Sequence, residues 1–61
     1  MFMKFNNTVI NMNQVIAVKK LGNSLRFFFA DNKEYITVWF ESYGDADRAL
    51  NMIAEVEENV Q

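Results

Sequence analysis

The chain has 61 residues, with no Cys, no His and no Pro, and a formal net charge of -2. A domain of this length buries only about 60% of the surface its unfolded chain exposes, so its stability margin is thin. Lacking Cys and His, it can form neither disulfides nor thiolate or imidazole metal sites, and association with a second copy is the remaining stabilising device.

Taken in chain order, the first element is a short hairpin. Asn6-Asn7 separates Met3-Lys4-Phe5 from Thr8-Val9-Ile10, and Asn tolerates the left-handed backbone that tight turns need. Met12-Asn13-Gln14 then makes a polar break before the β-branched run Val15-Ile16-Ala17-Val18-Lys19-Lys20-Leu21, which reads as a strand. Gly22-Asn23 is a strong two-residue hairpin signal, because Gly supplies positive φ without steric cost. Leu25-Arg26-Phe27-Phe28-Phe29-Ala30 and Tyr35-Ile36-Thr37-Val38-Trp39-Phe40 are the next two strands, with a turn expected within Asp31-Asn32-Lys33-Glu34. Ser42 followed by Asp45 marks a helix start, and Ala46, Ala49, Leu50, Ile53 and Val56 recur at three- and four-residue steps, the signature of one buried stripe.

The expected fold is therefore α+β. A single domain over 1–61 holds an antiparallel β-meander of four strands, at about 2–12, 15–21, 24–30 and 34–40. The count becomes five if the first hairpin splits. One C-terminal α-helix, at about 43–58, packs on one face.

Side-chain parity assigns the two faces. With Gly22-Asn23 as the loop, Leu21 meets Ser24, Lys19 meets Arg26, Val18 meets Phe27, Ala17 meets Phe28 and Ile16 meets Phe29. Ile16, Val18, Leu25, Phe27, Phe29, Ile36, Val38 and Phe40 then face the helix, with Phe5 and Ile10 added to the core. The opposite face holds Val15, Ala17, Lys19, Arg26, Phe28, Tyr35, Thr37 and Trp39. Aromatic groups left there are expensive in water, so that face is expected to meet a partner.

Three uses suit it. Trp39, Tyr35 and Phe28 can anchor a protein interface, with another copy or a host protein, around Arg26. Alternatively, the aromatics stack on bases of a single strand or a free nucleotide while Lys19, Arg26 and Lys4 neutralise phosphate. Thirdly, the Met1-Phe2-Met3 segment folds back as a second layer and the face is purely structural. The candidate binding residues are thus Trp39, Tyr35, Phe28, Arg26, Lys19 and Thr37.

Charge limits the nucleic-acid reading. Through Lys33, five cations oppose Asp31 alone; from Glu34 onward, seven carboxylates oppose Arg48 alone. Such a split either directs a face at charged partners, or brings one copy's basic half to another's acidic half, or only solvates the outer side of an acidic helix; few cations and an acidic total disfavour duplex nucleic acid. Catalysis is not expected, since His and Cys are absent and Ser24 and Ser42 sit at a turn and a helix cap. Glu41, Asp45 and Asp47 are explained by capping and the helix dipole, so no metal and no cofactor are expected. The opening residues lack a signal-peptide pattern, and no apolar run is long enough to span a bilayer. A cytoplasmic location with no membrane partner is expected.

The order of these segments, from Phe5-Asn6-Asn7-Thr8-Val9-Ile10 through Leu25-Arg26-Phe27-Phe28-Phe29 and Tyr35-Ile36-Thr37-Val38-Trp39-Phe40 to an Asp-Ala helix, resembles small proteins of bacteriophages and prophages of low-GC Gram-positive bacteria. That resemblance covers nearly the whole chain and carries no site residues. It implies an accessory protein in the host cytoplasm that works by binding, either blocking a host protein or sequestering a nucleotide signal used in antiviral defence.

Overall fold

The structure is a computed structural model that describes residues 1–59, with side chains throughout except at 32, 33 and 57–59. Five strands precede one helix. β1 (Phe2–Phe5) and β2 (Thr8–Asn11) form a separate two-stranded sheet, and β3 (Val15–Leu21), β4 (Ser24–Phe29) and β5 (Asn32–Trp39) form a three-stranded antiparallel meander in that order. α1 runs from Tyr43 to Asn59. The α+β expectation is met, and the first hairpin does split.

Local chemistry explains the breaks. Asn6 takes φ 55° in the first turn, and its Nδ2 donates to the Trp39 carbonyl at 2.6 Å, pinning that turn to the end of β5. After β2, a 3₁₀ turn spans Met12–Gln14; Asn11 Oδ1 accepts the Asn13 N–H at 3.1 Å, and the Met12 N–H donates to the Met1 carbonyl at 2.8 Å. Gly22 has φ 61° in the loop between Leu21 and Ser24, a conformation that costs Gly little. Beyond the end of β5, Asn23 and Phe40 exchange two bonds: the Phe40 N–H reaches the Asn23 carbonyl, and Asn23 Nδ2 reaches the Phe40 carbonyl, each at 2.8 Å. At the helix start, Ser42 Oγ accepts the Asp45 N–H at 3.1 Å, the expected N-cap, and Asp45 is ion-paired with Arg48.

One core serves all three layers. Phe5 and Ile10 from the hairpin, Met12 from the 3₁₀ turn, Leu25, Phe27 and Val38 from the larger sheet, and Ile53 from α1 form a single buried cluster. The Phe5 and Phe27 rings are 5.2 Å apart. Hairpin and helix therefore lie on the same side of the three-stranded sheet. The fold-back of Met1-Phe2-Met3 over the other face does not occur, because Met3 packs against this core.

Two register details differ from expectation. Val15 lies opposite Phe29 while Ala17 lies opposite Phe28, so Ile16 is an extra, unpaired residue in β3. A one-residue bulge reverses the sides of everything before it. Val15, expected on the outer face, packs against the core, and Ile16, expected in the core, is 68% exposed. The second detail is the turn after β4. It falls at Ala30-Asp31, with Phe29 opposite Asn32, and two extra residues in β5 restore Phe28 opposite Tyr35. An even insertion leaves parity intact, which is why Leu25 and Phe27 still share a face with Val38 and Ile36. Ile36 nevertheless stays exposed on its edge strand, and Phe29 and Phe40 are only half-buried.

Candidate functional site

The outer face of the three-stranded sheet is a grid of three cross-strand rows. Lys19, Arg26 and Thr37 are register partners across β3, β4 and β5. Ala17, Phe28 and Tyr35 make the row on one side, and Leu21, Ser24 and Trp39 the row on the other. All six predicted site residues thus stand on one surface, with the polar row between two apolar ones. Neighbouring rows lie about 7 Å apart along the strands, and neighbouring strands about 4.8 Å apart.

Contacts within the grid fix its shape. The Phe28 and Tyr35 rings are 5.5 Å apart, tilted at 52°. Arg26 Cζ lies 4.7 Å from the Tyr35 ring centroid, and Lys19 Nζ lies 5.8 Å from that of Phe28. Each cation is thereby held against a ring, an interaction of about 0.5–1 kcal/mol at exposed sites. Arg26 Nε is buried and, among the described residues, has no hydrogen-bond partner. A guanidinium has five N–H donors in a planar fork, and a buried unpaired donor costs about 1–3 kcal/mol.

The third row adds a different element. Ser24 is buried, with its Oγ donating to the Leu21 carbonyl at 2.8 Å, so it contributes floor rather than contact. Trp39, by contrast, is 66% exposed. Its backbone is tied down by Asn6, so the indole is presented from a fixed point. The nine grid positions hold two cations and no carboxylate. The surface thus sets two cations beside exposed aromatic groups.

Elsewhere, an open groove of about 640 Å³ runs between the 3₁₀ turn, β3 and α1, lined by Met1, Met12, Val15, Ile16, Leu50 and Ile53 among others. Sequence reading missed it, because the bulge that puts Ile16 on its rim has no signature among three consecutive apolar residues. Phe2 and Val9 are exposed on the outer side of the hairpin. Among the described residues, no three His, Cys, Asp or Glu side chains gather where they could hold a metal ion, and Asp45 is engaged by Arg48. No described helix is long and apolar enough to cross a membrane. Compared with protein-family models, curated proteins and solved structures, the chain matches none, and the outer sheet face is read from its own geometry.

Proposed function

We propose that this chain is a non-enzymatic, oligomeric binding protein whose recognition surface is the outer face of the three-stranded sheet, and that its partner presents an anionic group there. The observation that carries this reading is the Lys19–Arg26–Thr37 row, with the Arg26 guanidinium laid on Tyr35. Trp and Tyr around a central Arg are the residue types that dominate binding hot spots. A small accessory protein that occupies or sequesters a host factor, as the resemblance to phage proteins implies, would act through such a surface. The test is native mass spectrometry of the chain recovered from the cell that makes it. Wild type is expected to retain a partner that Trp39→Ala loses; equal retention by both removes this face from the reading.

Self-association is assigned to the other side. Strand spacing gives the outer face a flat area of roughly 300 Å², well short of the about 800 Å² per copy that a stable protein pair buries. The groove is the better candidate, since exposed Ile16 stands on its rim within β3, an edge strand. Light scattering at micromolar concentration is expected to give a mass above the 7.2 kDa of one chain. Ile16→Lys should return it to the monomer value. A wild-type monomer at both low and high salt would sink the oligomer.

A further inference from the structure

We infer that the outer sheet face binds single-stranded nucleic acid, with one phosphate on Arg26, the next on Lys19, Thr37 in the same row, and a base stacked on Trp39; this rests on the anion-binding reading of the same face. The arrangement pairs the two chemistries a nucleotide carries. Arg26 and Lys19 are braced on rings of the adjoining row, so both positive charges are fixed on this face. Thr37, the register partner of Arg26, adds a hydroxyl to the same row. One row further along β5, Trp39 offers an exposed π-face, and base–aromatic stacking needs no particular sequence.

Size and charge decide among anionic partners. A flat area of roughly 300 Å² is too small to hold a protein chain firmly, but it accommodates two or three nucleotides. A duplex hides its base faces and rewards many cations, whereas this surface offers two cations and open rings. The acidic character of the chain does not oppose the site. Asp45, Asp47 and Glu55 ride on α1, whose apolar stripe packs on the sheet's other side, while Asp31, Glu34 and Glu41 lie in or beside β5 but outside the nine grid positions.

Two phosphate contacts set a small and calculable salt dependence. For single strands, the logarithm of the binding constant falls with the logarithm of salt concentration at a slope of about -0.7 per contact, so about -1.4 here. Between about 50 and 200 mM salt, binding should weaken roughly sevenfold.

The experiment titrates the full chain with a short oligothymidylate and follows the fluorescence of Trp39, the only Trp present. Saturable quenching with a slope near -1.4 is expected, and Arg26→Ala, checked for its fold by circular dichroism, should halve the slope. Lys19→Ala, at an exposed position, is the second variant and should do the same. A duplex of the same sequence that competes equally well would overturn the inference. Polyglutamate binding that responds to Arg26→Ala, with no quenching by oligothymidylate, would overturn the nucleic-acid assignment while leaving the anion-binding reading in place. Failure of both probes to bind would remove both.

Discussion

Phe27→Ala is expected to leave the chain largely unfolded at room temperature. Phe27 is fully buried at the middle of the central strand, with Val18 and Ile36 as register partners on either side and the Phe5 ring 5.2 Å away. Removing a buried Phe side chain costs about 3–5 kcal/mol, because the transfer term is joined by a cavity that the surroundings fill only in part. A core this small rarely supplies more than about 3–5 kcal/mol of net stability. The two figures are equal, so the substitution uses the whole margin. Far-UV circular dichroism and urea melts check it. A cooperative melt with its midpoint near the wild-type value would mean that this cluster is not what holds hairpin, sheet and helix together.

Trp39→Ala should have the opposite profile: little change in folding, and a loss of roughly 2 kcal/mol, about thirtyfold, in partner affinity. The folding part follows from exposure, since two thirds of the side chain already meets water, and surface substitutions usually stay within about 0.5 kcal/mol. The contact that fixes this end of β5 uses the Trp39 carbonyl, which every residue has, so the Asn6 bond survives the change. The affinity part follows from anchor energetics, where truncating a Trp costs about 2 kcal/mol or more. Titration calorimetry and a thermal melt on the same sample separate the two. Val9→Ser, on the outer side of the hairpin, is the control expected to change neither.

Most of the grid was legible in the residues because one turn determined it. Once Gly22-Asn23 was the loop, Leu21 and Ser24 had to pair, and counting back placed Lys19 against Arg26 and Ala17 against Phe28. The third strand joined correctly although its turn lay earlier than the polar stretch suggested, since the two extra residues near its start preserve parity. Ser42 was equally plain, because an N-cap is a local bond between neighbours. What could not be read was the bulge at Ile16. Val15, Ile16 and Ala17 are all apolar, so either register satisfies the alternation, and packing in three dimensions chooses between them. The groove follows from that choice and was hidden with it. The same holds for the stack of Arg26 on Tyr35, a diagonal neighbour across strands whose contact depends on rotamers rather than on sequence spacing.

The side of the molecule on which function resides is tested most directly by backbone amide chemical-shift mapping of the isotope-labelled chain, as oligothymidylate and then polyglutamate are added. The largest shifts are expected on Lys19, Arg26, Phe28, Tyr35, Thr37 and the Trp39 indole. Shifts concentrated on Ile16, Leu50 and Ile53 in the groove, or on Phe2 and Val9, with the outer sheet face unmoved, would contradict it.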